Sequence, residues 1–238
     1  MEYGKLDSGN HVEKVKWIIT PTTHEQRYGC CNAVAVKKAA HQWKAGKCTK
    51  CGTRIPVGKA SITTKSSDGI TTISWKKVTN ASGYKVYRAK NKKGKYELLK
   101  TTAALSYSDS SIAGGRNYYY KVAAYYKNES TTINGEASDV VLQVGTLKKV
   151  SLRVKNKKKS TASLSWKKVA GAKKYQIYRA TRKKGKYSKI ATTKKLTYKN
   201  TSLSKKKTYY YKVRAYYVKA GKNIYGSYSK VKSVKITK

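Results

Sequence analysis

All four cysteines of the chain (Cys30, Cys31, Cys48 and Cys51) and all three histidines (His11, His24 and His41) fall within its first 51 residues. Cys48-Thr49-Lys50-Cys51-Gly52 is a C-x-x-C step followed by glycine, a turn that lets two thiolates face one ion. Cys31 and His41 lie upstream, with Cys30 adjacent and His24 as a spare. Cys31, His41, Cys48 and Cys51 therefore predict a closed Cys₃His site for a structural zinc, with Cys30 as the alternative to Cys31. Lys44, Lys47 and Lys50 would keep the thiols acidic and offset the negative charge of such a site. In an oxidising compartment the same four cysteines could instead form two disulfides, in three pairings, or they could stay free. Nothing around the C-x-x-C reads as the βαβ context of a redox enzyme.

The rest of the chain is poor in reactive groups. Val140 to Lys238, 99 residues, contain no aspartate, glutamate or histidine. Residues 146–238 carry 31 Lys and Arg, most of a net charge of +45. A segment without carboxylate or imidazole has almost nothing with which to move protons or bind a metal. The 10 carboxylates of the chain are scattered without a paired motif; Asp68 and Asp109 read as turn residues, and Glu129 and Glu136 flank a loop. The expectation is a chain that is not an enzyme.

The elements that position these groups come in two copies. Trp75, in Ile-Ser-Trp-Lys-Lys-Val, recurs as Trp166, in Leu-Ser-Trp-Lys-Lys-Val, 91 residues on. The same offset carries Tyr84 to Tyr175, Tyr87 to Tyr178, Gly94-Lys95-Tyr96 to Gly185-Lys186-Tyr187, and Tyr118-Tyr119-Tyr120-Lys121-Val122 to Tyr209-Tyr210-Tyr211-Lys212-Val213. A period near 90 residues is too long for a solenoid unit and suits two tandem domains.

Each copy reads as all-β. Period-two runs rich in Val, Ile, Thr, Tyr and Trp alternate with short polar or glycine turns, and helical spacing is absent. The first copy predicts strands near 60–65, 70–77, 83–89, 95–101, 105–109, 116–127 and 136–144. The second predicts 150–155, 161–168, 174–180, 186–192, 196–200, 207–218 and 227–236. Seven short strands per copy point to a Greek-key sandwich of two antiparallel sheets. The expected layout is a Cys/His segment at 1–56, one sandwich at 57–145 and another at 146–238, joined by the short linker Val144-Gly145-Thr146-Leu147. With 22 Tyr and no Phe, the core aromatics must be tyrosines whose hydroxyls reach solvent or backbone.

This pattern resembles the fibronectin type III family over roughly 57–238. The family's second-strand tryptophan matches Trp75 and Trp166. Its third-strand Tyr-x-Val or Tyr-x-Ile matches Tyr84-Lys85-Val86 and Tyr175-Gln176-Ile177. Its Leu followed six residues later by Tyr matches Ile112 to Tyr118 and Leu203 to Tyr209, which would make Tyr118 and Tyr209 tyrosine-corner residues. The chain departs from the family in having Gly114-Gly115 or Lys205-Lys206 where Pro-Gly is common, and in its lysine content. The run from His41 to Gly52 is similar to small zinc-ribbon-like repeats of bacterial surface proteins, although the first cysteine pair is contiguous rather than C-x-x-C. These resemblances imply a non-catalytic spacer or binding region of a bacterial cell-surface or secreted protein.

Charge and tyrosine placement suggest what such a region would meet. Lysine runs at 157–159, 183–184 and 205–207 fall at turns, where solvated charge is unremarkable. A whole copy without negative charge repels itself, and a polyanion would relieve that repulsion. If Tyr118, Tyr120 and Val122 face the core, then Tyr119, Lys121 and Tyr125 face outward, with Tyr87 beside them. The second copy repeats the stripe with Tyr178, Tyr210, Lys212 and Tyr216. Such a face could stack on sugar rings while its lysines meet phosphates, or simply stabilise the sheet through cross-strand pairs. The expected partner is an anionic cell-wall polymer or glycan, with nucleic acid as the alternative, although no nucleic-acid-binding motif appears. A monomer is expected, outside the cell or in its wall. No apolar run is long enough to span a membrane, and Val15 to Thr20 is too short for the core of a secretory leader.

Overall fold

The structure, a computed structural model, describes residues 15–20, 23–28 and 34–237, none of which is helical. Strands β1 (Val15–Ile19), β2 (Thr23–Tyr28) and β3 (Val34–Ala40) form an antiparallel sheet in that order. A minimal hairpin follows, β4 (Trp43–Lys44) with β5 (Lys47–Cys48). Its turn residues Ala45 and Gly46 both have positive φ, 50° and 76°, the backbone hand that matches the twist of paired strands.

The first copy contributes β6 (Ile62–Ser67), β7 (Ile70–Trp75), β8 (Gly83–Ala89), β9 (Glu97–Thr102), β10 (Ser106–Asp109), β11 (Asn117–Lys127), β12 (Thr132–Ala137) and β13 (Val141–Val144). One sheet runs β10-β7-β6; the other runs β12-β11-β8-β9, with β13 also paired to β11. The second copy repeats this plan with β14 (Arg153–Lys158), β15 (Thr161–Ser165), β16 (Lys174–Ala180), β17 (Ser188–Thr193), β18 (Thr197–Asn200), β19 (Thr208–Lys219), β20 (Lys222–Tyr225) and β21 (Lys232–Lys235). Its sheets run β14-β15-β18 and β17-β16-β19-β20, with β21 also on β19. Each copy is thus a two-sheet sandwich of the fibronectin type III kind, with seven strand positions.

The last position of each sandwich is divided and starts earlier than the sequence predicts: the strand expected over 136–144 matches β13 and only the end of β12, and that expected over 227–236 matches β21, with β20 lying before it. Between β12 and β13, Ser138 interrupts the ladder: its N–H donates to the Val122 carbonyl at 2.8 Å, and its Oγ accepts the Val122 N–H at 3.0 Å. Ser229 does the same for Val213, at 2.7 and 3.0 Å. A hydroxyl stands in for a backbone carbonyl, so pairing continues while the strand is broken.

Two separate cores lie between the sheets. The first gathers Ile73, Trp75, Tyr84, Val86, Tyr118, Tyr120 and Val122, and the second gathers Leu164, Trp166, Tyr175, Ile177, Tyr209, Tyr211 and Val213. Alternation along β11 turns Tyr118, Tyr120 and Val122 inward and leaves Tyr119 and Lys121 half-buried on the other face. Each core tryptophan packs on a tyrosine, Trp75 on Tyr84 and Trp166 on Tyr175, with centroids 5.3 and 5.4 Å apart. The tyrosine hydroxyls are anchored. Tyr84 accepts the Val78 N–H at 2.9 Å and Tyr175 accepts the Val169 N–H at 3.0 Å. Tyr118 accepts the Ala113 N–H at 2.9 Å and Tyr209 the Ser204 N–H at 3.1 Å, the two tyrosine corners that the resemblance implies.

Asp68 sits at a turn, with φ of 47°. Asp109 does not: it ends β10 and is 1 % exposed, paired with Arg88 at 2.7 Å. Its reading as a turn residue is corrected by that burial, which a carboxylate tolerates only when paired and hydrogen-bonded.

The two sandwiches meet around Gly114 and Gly115. The Gly114 N–H donates to the Ala170 carbonyl at 3.1 Å, and Gly115 and Arg116 hold the linker residue Gly145 through bonds of 2.9 and 2.8 Å. A β-carbon on Gly171, whose φ is +84°, would collide with the Gly114 carbonyl oxygen. Close backbone approach is what the Gly-Gly step provides here, at the position where the second copy has Lys205-Lys206.

Candidate functional site

The C-x-x-C step is built as a knuckle. Cys48 closes the β4–β5 hairpin, its N–H donating to the Thr53 carbonyl at 2.7 Å, while the Gly52 N–H returns to the Cys48 carbonyl at 3.0 Å. Gly52 lies at φ of +71° with open space around it, a conformation that suits glycine. Both Cys48 and Cys51 carry free thiols, the first buried and the second half-buried.

Two histidines reach this knuckle from the neighbouring sheet. His24, buried on β2, places Nδ1 3.9 Å from Cys48 Sγ. His41, just after β3, places Nδ1 3.6 Å from Cys51 Sγ and 3.3 Å from His24 Nδ1. The ligand atoms of His24, His41, Cys48 and Cys51 all lie within 4.8 Å of one another. His41 Nε2 lies 3.0 Å from the Thr20 carbonyl, to which it donates, so Nδ1 is the ring nitrogen that faces the cysteines. Trp43 covers the His41 ring, centroids 4.7 Å apart. This cluster could hold a metal ion.

Electrostatics prepare the knuckle for a cation. Burial raises the Cys48 pKa, but hydrogen bonds from the Cys51 backbone, His41 and the Lys50 backbone outweigh it and push the thiol down to about 6. His41 is held above its ordinary value, chiefly by its contact with Cys48. Of the residues the spacing selects, His41, Cys48 and Cys51 come together, whereas Cys31, its alternative Cys30 and also His11 lie outside the described residues. His24, the spare histidine of the sequence, stands among the four. The register of β2 on β3, with His24 opposite Ala39, brings it beside His41.

The outward face of β8, β11, β16 and β19 is the second candidate. In the first sandwich Lys121 lies over Tyr96 at 4.4 Å and Tyr87 at 5.8 Å, and Lys85 lies over Tyr125 at 5.6 Å. Tyr87, Tyr119 and Tyr125 are all half-buried. In the second sandwich Lys212 lies over Tyr228 at 4.1 Å and Tyr187 at 4.5 Å. Arg214 lies over Tyr225 at 3.8 Å, Tyr228 at 4.9 Å and Tyr178 at 5.5 Å. Its Nε donates to Gln176 Oε1 at 2.9 Å and its Nη2 to the Tyr178 hydroxyl at 3.0 Å. Tyr178 and Tyr210 are half-buried on this face, but Tyr216 is buried beneath Tyr225, its cross-strand partner, with centroids 5.4 Å apart.

Tyr96, Tyr187, Tyr225 and Tyr228 belong to this face although the strand alternation of β8, β11, β16 and β19 does not select them, whereas Arg214 lies on β19 in the register of Tyr210 and Lys212, where alternation could have found it. Tyr96 and Tyr187 come in from loops, where each hydroxyl donates at 3.0 Å to a turn carbonyl, that of Lys92 or Lys183. Their shared Gly-Lys-Tyr context in both copies was the clue. Arg214 and Tyr228 stand where the first copy has Ala123 and Ala137, and Gln176 where it has Lys85, so the second face is the more aromatic and carries an arginine in place of one lysine.

No protein-family model matches this chain, and no curated protein does. Among solved structures it is similar to the chicken interferon gamma receptor alpha chain, with a TM-score of 0.50 and 13 % identity, covering 76 % of this chain and 98 % of that one. It also resembles a two-domain fibronectin type III segment of chicken tenascin, with a TM-score of 0.43 and 12 % identity over 75 % of this chain and 98 % of that one. The receptor likeness agrees with the two-sandwich fold described above.

Proposed function

We propose that this chain is a non-catalytic spacer and binding region of a bacterial cell-surface or secreted protein, whose sandwiches take anionic wall polymers or glycans on their outward sheet. It is laid out as a zinc-holding Cys/His segment at 1–56 and two domains at 57–145 and 146–238, and it works outside the cell. The strongest support is the Lys212–Arg214 face: two cations fixed against four tyrosine rings, in a sandwich whose sequence offers no carboxylate. Gln176 and Tyr178 orient the Arg214 guanidinium without neutralising it. Rings held at these positions can stack on pyranose faces while the cations meet phosphates.

In this reading several carboxylates serve as ion-pair partners. Asp109 is used by Arg88, Asp68 pairs with Lys149 at 3.1 Å, and Lys59 gathers Glu136 and Asp139 at 3.2 and 2.8 Å. No helix among the described residues is long and apolar enough to cross a membrane.

The test is co-sedimentation of the purified chain with Gram-positive cell walls, before and after removal of teichoic acid, across a salt series with double-stranded DNA as competitor. Retention that drops with teichoic acid and resists DNA is the expected result. Equal binding to every polyanion, lost above physiological salt, would instead leave a spacer without a chosen ligand.

A further inference from the structure

We propose that Nδ1 of His24, Nδ1 of His41, Sγ of Cys48 and Sγ of Cys51 together hold one Zn²⁺ in a closed, structural site. The inference rests on the zinc-holding reading of segment 1–56 and adds the ligand set, with His24 in the position for which spacing selects Cys31.

Three of the six ligand separations approach the edges of a zinc tetrahedron. With Zn–N near 2.0–2.1 Å and Zn–S near 2.3 Å, tetrahedral edges come to about 3.3 Å for N···N and about 3.5 Å for N···S. The corresponding separations are 3.3 Å between the histidines, 3.6 Å from His41 to Cys51 and 3.9 Å from His24 to Cys48. These three separations lie within about 0.4 Å of tetrahedral edges, and all four ligand atoms lie within 4.8 Å of one another. The support around the ligands is also that of a metal site. The Thr20 carbonyl holds the His41 ring with Nδ1 toward the cysteines, and backbone N–H groups of the knuckle point at Cys48.

Such an ion would do structural work. It would tie β2 and the end of β3 to the β4–β5 hairpin, joining two pieces of a segment too short to bury a core of its own. The hairpin turn in turn packs on the first sandwich: a β-carbon on Gly46 would lie 2.8 Å from Thr131 Cγ2 and 2.9 Å from Ile133 Cδ1. Four protein ligands leave no position open for substrate, so the ion would hold the segment's shape rather than catalyse.

The experiment uses the full chain, reduced and metal-free, titrated with Zn²⁺ against a chromophoric chelator and with Co²⁺ by absorption. Expected are one equivalent bound and the cobalt spectrum of a tetrahedral site with two thiolates. The double variant Cys30→Ser/Cys31→Ser should leave both unchanged. His24→Asn should weaken binding by more than the roughly 10–100-fold that follows loss of a group merely supporting a ligand. His24→Cys guards against a folding artefact: it should keep the metal and strengthen the thiolate-to-cobalt band, three thiolates replacing two. Metal binding that survives His24→Asn but fails in Cys31→Ser would overturn the ligand set while leaving the zinc reading intact. No binding by the reduced wild-type chain would overturn the zinc reading itself.

Discussion

Asp109 and Asn200 occupy the same place in the two sandwiches. Each accepts the hydroxyl of a wholly buried tyrosine at 2.9 Å, Tyr120 or Tyr211, and each accepts an Nη1–H, from Arg88 at 2.7 Å or Arg179 at 3.2 Å. Asp109 takes two further bonds, from the Ser111 N–H and hydroxyl at 2.9 and 2.7 Å. The second sandwich keeps the geometry and gives up the charge, which is one way its sequence came to contain no acid.

This pair predicts different acid sensitivity in the two sandwiches. Burial works to raise the Asp109 pKa, but bonds from Ser111, Tyr120 and Arg88 hold it below the ordinary 3.8. A carboxyl lowered by folding contributes stability that is complete above its unfolded-state pKa and drains away as pH falls through the folded-state value. Hydrogen exchange read separately over residues 62–144 and 153–235 should show the first sandwich losing protection below about pH 4, with no matching loss arising at Asn200. Asp109→Asn should flatten that slope, and Asp109→Ala, which strands Arg88, should cost about 3–5 kcal/mol at neutral pH.

Ser138 and Ser229 predict a smaller, symmetric cost. Ser138→Ala would leave the buried Val122 N–H without its acceptor, and Ser229→Ala would do the same to Val213. Each should destabilise its own sandwich by about 1–3 kcal/mol in denaturant titration and leave the other unchanged. Equal loss in both sandwiches would show that they unfold as one unit.

The junction gives a prediction about shape. Gly171→Ala places a methyl group against the Gly114 carbonyl at a positive φ, and Gly114 sits where the two sandwiches exchange a backbone hydrogen bond. The expected outcome is a loosened junction with both cores intact. Small-angle scattering should report a larger and more variable separation, while near-ultraviolet dichroism of Trp75 and Trp166 stays as in the wild type. Unchanged scattering would mean the contact does not limit the hinge.

What could be read from the sequence divides along the same physical lines. Strand positions were legible because one face of each sheet is buried, so alternation around Tyr118-Tyr119-Tyr120-Lys121-Val122 fixes both strand and register. The break at Ser138 was not, since a serine that replaces a carbonyl looks like any polar residue in a strand. Burial of Asp109 was hidden because its partner Arg88 is 21 residues away and comes from the other sheet. Local spacing identified three members of the Cys/His cluster, Cys48, Cys51 and His41, which lie within one hairpin and its approach. His24 arrives by strand pairing from 17 residues before His41, a distance that local spacing does not encode.

The cationic face yields the sharpest functional prediction, because its two sandwiches differ by substitution rather than by fold. Lys212 and Arg214 in the second sandwich correspond to Lys121 and Ala123 in the first. If the face binds phosphate-bearing glycans, Arg214→Lys should weaken wall retention even though it preserves charge, because the planar fork and its stacking on Tyr225 are lost. Losing one charge-assisted contact of about 1.5–3 kcal/mol corresponds to roughly 10–100-fold in affinity. Lys121→Ala in the first sandwich should matter less, since its cation stands over Tyr96 and Tyr87 with no arginine beside it. Placing arginine there, Ala123→Arg, should bring the first face toward the second and raise retention on walls that still carry teichoic acid. Equal effects of Lys121→Ala and Arg214→Lys, scaling with net charge alone, would locate binding in the overall field of the protein and not on this face.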